Sequence, residues 1–75
     1  MSTTTIDCRD MHYPMPIVKM AKVIKSLAVG DKMQVMVADA AFAPDVQAWV
    51  RKTGHELEHL EFQGSCHIAT IRKTK

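Results

Sequence analysis

The stretch Tyr13-Pro14-Met15-Pro16-Ile17-Val18-Lys19-Met20-Ala21 decides the fold. Two prolines one residue apart are excluded from a helix interior, where each would remove a hydrogen bond and clash with the preceding turn. The first turn accepts them, because its N–H groups have no intrahelical partner to lose. A helix is therefore predicted from about Pro14 to Leu27. Ile17, Val18, Met20, Ala21, Ile24 and Leu27 recur at three-and-four spacing as its apolar side, with Lys19, Lys22 and Lys25 on the other. Gly30-Asp31 follows as a stop signal.

Upstream, Thr4 to Cys8 is largely β-branched and halts at Arg9-Asp10, which predicts an opening strand. Downstream, Lys32 to Ala38 alternates, with Met33, Val35 and Val37 on one face and Gln34 and Met36 on the other. Pro44 stands in the first turn of a second helix, Ala43 to Thr53, whose apolar stripe is Val46, Trp49 and Val50 and whose end is Gly54. Glu56 to Gln63 and Cys66 to Lys73 flank Gly64-Ser65 as a hairpin. Glu56, Glu58, His59 and Glu61 suit an exposed edge strand, and Ile68, Ala69 and Ile71 a more interior one. His55 and His59 are expected to be solvated. Met11, Met20, Met33 and Met36 read as core filler, and Met15, between the prolines, as exposed.

The order is strand, helix, strand, helix, strand, strand. Right-handed crossovers put both helices on one face, giving the α/β class, specifically an α+β two-layer sandwich, as a single domain over residues 1–75. The C-terminal ends of the first three strands and the start of the fourth then share one rim. Cys8, His12, Tyr13, Asp39 and Cys66 belong to that rim, where open α/β sheets bind their ligands.

At 47% hydrophobic and 24% charged residues the chain is a folded domain, with the thin core that 75 residues allow. Two cysteines are too few for a secreted disulfide framework, and Met1-Ser2-Thr3-Thr4-Thr5 has neither the basic nor the apolar part of an export signal. No apolar run approaches the ~20 residues of a membrane span. The expected compartment is the cytoplasm, with both thiols reduced. A net charge of +2 selects no partner, and no aromatic residues interleave with the lysines as single-stranded nucleic-acid binding would require. His12, His67 and the cysteines lack ligand spacing, so neither a metal nor a cofactor is expected.

Tyr13-Pro14-Met15-Pro16 resembles the Cys-Pro-x-Pro signature of the TusA/SirA family of small sulfur carriers. The similarity runs almost the full chain: Ile6-Asp7, Gly30-Asp31, Asp39 with its alanines, Asp45-Val46, Trp49, His55-Glu56-Leu57 and Ile71-Arg72-Lys73. The resemblance implies a mixed four-stranded sheet with the fourth strand between the second and third. It also implies a role in sulfur relay, with a desulfurase, rhodanese or DsrE-like protein as partner. The motif positions are Tyr13, Pro14, Pro16 and Asp39.

In that family the cysteine carries sulfur as a persulfide; here its place is taken by Tyr13. A carrier needs a thiolate able to make and break S–S bonds, and a phenol titrating near ~10 is not one. The family's nearby glycine is replaced too, by Asp10. The leading reading is a member that transfers no sulfur and acts by binding partners, with His12, Met15, Lys19 and Lys22 as contacts and a monomer or weak dimer as its state. A second makes Cys8 a displaced acceptor, against its plainer role in packing, with Cys66 the remaining thiol. A third makes the fold a module for RNA or an acidic protein, with Tyr13 stacking and Lys22 contributing charge. Cys8 and Cys66 would lie two strand spacings apart, about 9–10 Å, beyond disulfide reach.

Overall fold

A computed structural model describes residues 2–75. Its elements are β1 (Thr3–Asp7), α1 (Met15–Lys25), β2 (Lys32–Val37), α2 (Phe42–Thr53), β3 (Glu56–Gln63) and β4 (Cys66–Arg72). The sheet is mixed, in the order β1-β2-β4-β3. β1 and β2 run parallel, as a crossover through α1 requires, and β4 pairs antiparallel with both β2 and β3.

Alternation in β2 places Met33, Val35 and Val37 on the helix side, all with no exposed surface. Register carries this face across the sheet, since Ile6 lies opposite Val35, Ala69 opposite Val35 from the other side, and Ile71 opposite Met33. Met20 and Ile24 of α1 and Phe42 and Val46 of α2 close the core over them. Each such side chain contributes about 1.5–3 kcal/mol by leaving water.

Several details depart from the sequence-based expectation. α1 starts with Pro14 as its cap and ends two residues early, because the Ser26 N–H and hydroxyl both donate to the Val23 carbonyl, at 3.0 and 2.7 Å, and tighten the last turn. Val18, expected in the core, is exposed, whereas Pro16 is buried. The apolar arc is wider than the contact face, which takes Pro16, Met20 and Ile24 at four-residue spacing. α2 begins at Phe42, which is buried instead of lying in the approach loop, while Trp49 and Val50 only flank the core. Met36 points away from the helices, opposite Ile68 on the open face of the sheet.

β3 holds a bulge between Leu57 and His59, so Leu57 lies opposite Ile71 and Leu60 opposite Ala69, both toward the core despite being three residues apart. The acidic side chains go to the open face. There Glu58 pairs with Lys32 at 2.9 Å and Glu56 with Arg72. His59 is exposed beside Glu61, as expected, but His55 is not simply solvated. It lies against Trp49 at 5.8 Å between ring centres, and its Nδ1 accepts the Thr74 N–H at 3.2 Å. Gly54, in the left-handed region at φ 86°, ends α2 and donates to the Val50 carbonyl at 2.9 Å. None of the described helices is long and apolar enough to cross a membrane.

Candidate functional site

The rim is organised by Asp39. One carboxylate oxygen accepts the Tyr13 N–H at 3.2 Å and the other the Ala41 N–H at 3.0 Å, so a single side chain joins the approach to α1 with the approach to α2. These bonds need the anion. The Ala41 and Tyr13 N–H groups hold the Asp39 carboxyl below the usual carboxylate range, and His12 reinforces the effect.

Pro14 and Pro16 have no N–H to offer at the start of α1, and Met15 gives its own to the His12 carbonyl at 2.8 Å. Ile17 N–H is the donor of the first turn that remains without a backbone partner among the described residues. The helix start is thus a poorer anion site than a helix without these prolines. Tyr13 stands in front of it with 65% of its surface exposed, and Met15 (50%) and Val18 (39%) continue an apolar patch down the first turn. A crevice beside Tyr13 is lined by Pro16, Ile17, Val37 and Phe42 together with the carboxylates Asp39 and Asp45. His12, Lys19 and Lys22 are exposed.

The two thiols are separate and free. Cys8 follows β1, its N–H bonded to the Met36 carbonyl at 2.8 Å, and it continues the helix-side set of Thr4 and Ile6. It has no exposed surface; burial pushes its thiol up, and nearby Lys19 offsets only part of that. Cys66 precedes His67, which lies opposite the inward-facing Val37, so Cys66 belongs to the open face. Its thiol donates to the Gln63 carbonyl at 3.6 Å. The cysteines therefore differ in face as well as in strand. Asp7 and Arg9 form a two-pronged pair beside Cys8, at 2.9 and 2.8 Å, and this pair holds the Asp7 carboxyl down to about 2. Phe62 and His67 meet at 4.9 Å between ring centres on the far side of the rim, where Phe62 is largely exposed. Among the described residues, no three His, Cys, Asp or Glu side chains gather as a metal site.

The structure joins Tyr13 and Asp39 of the expected rim through the Tyr13 backbone N–H, a contact the sequence reading missed, and leaves Cys8 and Cys66 apart from it. The sequence reading also missed Asp45 at the crevice. The Asp-x-Ala signal at Asp39 and Ala41 is that of a side chain capping the N–H two residues on, which could have located the turn though not its link to Tyr13.

Comparison with known proteins gives a consistent answer. Residues 4–73 match the family model of the sulfurtransferase TusA. A candidate sulfur carrier protein of Archaeoglobus fulgidus is 31% identical over 70 residues, covering 93% of this chain and 96% of its own. Another, of Halobacterium salinarum, is 34% identical over 74 residues, covering 97% and 91%. The crystal structure of the SirA-like protein from Desulfitobacterium hafniense superposes with a TM-score of 0.80 over the whole of both chains, at 22% identity, and so shares the fold. With the two-proline helix start, the mixed sheet and the Asp39 turn already in place, the match over residues 4–73 makes this chain a member of the TusA sulfur-carrier family.

Proposed function

We propose that this chain is a non-transferring member of its family, which takes part in cytoplasmic sulfur relay by binding a desulfurase, rhodanese or DsrE-like protein without carrying sulfur itself. The observation that carries the reading is Tyr13, an exposed phenol at the start of α1 where the family motif places its acceptor thiol. A phenol oxygen forms no persulfide. What the position retains is exposed apolar surface at Tyr13, Met15 and Val18, with His12, Lys19 and Lys22 also exposed in the same segment, which is the composition of a small protein-docking surface.

The competing thiols do not replace the lost one well. Cys8 is sealed in the core and its protonated form is favoured, whereas a relay thiol must be exposed and largely ionised. Cys66 belongs to the opposite face of the sheet.

The test incubates the purified protein with a cysteine desulfurase and cysteine carrying labelled sulfur, then reads intact mass. The expected result is no added sulfur, together with a complex detectable by calorimetry or size exclusion. Sulfur that is retained on Cys8 and lost in Cys8→Ser, or the same pattern at Cys66, would overturn the proposal.

A further inference from the structure

Of the two strands at the margins of the sheet, β3 is guarded and β1 is not. β3 carries Glu56, Glu58 and Glu61 and is broken by the bulge between Leu57 and His59, and both features discourage a further strand from adding to it. β1 reads Thr3-Thr4-Thr5-Ile6-Asp7, with no proline, no bulge and no charge before its last residue, and that charge is already paired with Arg9. The register says which of its backbone groups are free. The Cys8 N–H donates to the Met36 carbonyl and the Ser2 carbonyl accepts the Lys32 N–H, each at 2.8 Å, so the even-numbered residues turn their backbone groups toward β2. Thr3, Thr5 and Asp7 therefore aim their N–H and C=O groups out of the sheet, where none has a backbone partner among the described residues. All three residues are exposed.

Unpaired backbone groups along an edge select another extended strand as their occupant, because a strand alone repeats their spacing. The outward set is symmetric about Thr5, and that symmetry favours a second copy of this chain. An antiparallel two-fold pairing centred on Thr5 sets Thr5 against the partner's Thr5, and Thr3 and Asp7 against the partner's Asp7 and Thr3. These are three hydrogen-bonded pairs, and two bonds in each satisfy every outward group. The side chains agree with the backbone. Threonine meets threonine at the centre, a favourable cross-strand pair, and a hydroxyl meets a carboxylate on either side, with no like charges opposed. A slip of two residues in either direction leaves Thr3 or Asp7 without a partner inside the strand.

We infer that two copies join through β1, edge to edge and antiparallel, into one continuous sheet in the order β3-β4-β2-β1-β1-β2-β4-β3. The two-fold points the C-terminal ends of the β1 strands in opposite directions, so the Tyr13 rims lie at opposite ends of the joined sheet. The inference does not depend on whether the chain carries sulfur. A five-residue edge buries far less than the ~800 Å² a side of a stable complex, so the dimer is weak, with a Kd of roughly 0.1–1 mM.

Sedimentation equilibrium from about 0.02 to 2 mM should show monomer giving way to dimer. Over the same range, amide protection relative to intrinsic exchange rates should appear at Thr3, Thr5 and Asp7 as the dimer forms, whereas Thr4 and Ile6, bonded to β2, are protected throughout. Thr5→Pro removes the donor of both central bonds but none of the β1–β2 ladder, and should weaken the dimer by at least about tenfold. Thr5→Lys sets two ammonium groups against each other and should weaken it about threefold, more so at low salt. Thr3→Lys brings a cation to the partner's Asp7 on both sides and should tighten it about threefold, a gain that unfolding cannot produce. A monomer throughout the range, a dimer in which those three amides stay unprotected, or lysines at positions 3 and 5 that shift it in the same direction would overturn the inference.

Discussion

Tyr13→Cys places a thiol directly before the two-proline start of α1, where the proposed function puts the acceptor position, and the surroundings set how acidic that thiol should be. Two effects compete. The helix start favours a thiolate, but among the described residues only Ile17 in the first turn keeps an N–H without a backbone partner, since Pro14 and Pro16 have none and Met15 donates to His12. The helix contribution therefore falls at the low end of its range, about 0.3 kcal/mol or roughly 0.2 pKa units downward. Asp39 opposes it. Its carboxylate already accepts the residue 13 N–H at 3.2 Å, which brings a fixed negative charge close to the side chain on the same residue. At a separation of about 6 Å in water-like surroundings, that charge raises a thiol by roughly half a pKa unit. The new cysteine should titrate close to the ordinary ~8.5 or slightly above it. Asp39→Asn in the same background should lower it by about that half unit. The assay is the pH dependence of alkylation, with mass mapping to separate residue 13 from Cys8 and Cys66. A thiol titrating below about 7, or one that Asp39→Asn leaves in place, would refute the reasoning. In the desulfurase assay the variant should gain the mass of one sulfur atom at residue 13. If it folds and gains none, more than the acceptor has been lost.

Asp39→Asn in the natural background should speed amide exchange at Tyr13 and Ala41 while leaving the core strands protected, because those N–H groups lose their anionic acceptor. Its folded pKa is depressed, so the Asp39 contribution to stability is complete above about 3.8 and is lost as pH falls through the folded value; unchanged protection of both amides, relative to their intrinsic exchange rates, on acidification would contradict this. His55 is also depressed, by burial first and then by Lys73 and Lys75, and its neutral Nδ1 holds the Thr74 N–H. That contact is complete above about 6.5 and is lost as pH falls through the lower folded value, so NMR should place the His55 midpoint under 6.5, with the protection of the Thr74 amide relative to its intrinsic exchange rate falling in step. Met33→Ala removes a side chain with no exposed surface at the centre of the sheet, and urea unfolding should show a loss of about 3 kcal/mol. A loss under about 1 kcal/mol would mean that the site collapses to fill the cavity.

Much of the architecture was legible because it depends on local rules. Proline sterics placed the start of α1 to within a residue, and alternation in β2 named Met33, Val35 and Val37 as core. The edge position of β3 followed from its glutamates, and the order of β4 between β2 and β3 from family resemblance. Periodicity did less well in choosing which apolar residues of α1 meet the sheet. It could not tell Val18 from Pro16, because the contact face is narrower than the apolar arc.

The chain alone therefore determined the element order, the core face of the central strand and the two-proline helix start behind Tyr13. Those properties are set by φ/ψ sterics, side-chain period and residue chemistry, all local. Tertiary structure decided the rest. Asp39 reaches the N–H of Tyr13 across 26 residues, the bulge in β3 turns Leu57 and Leu60 to the same side, and Asp45, Trp49 and Lys52 gain a facing wall only when α1 packs beside α2. No local rule carries that information, because each contact exists only after a crossover has brought distant segments to the same rim.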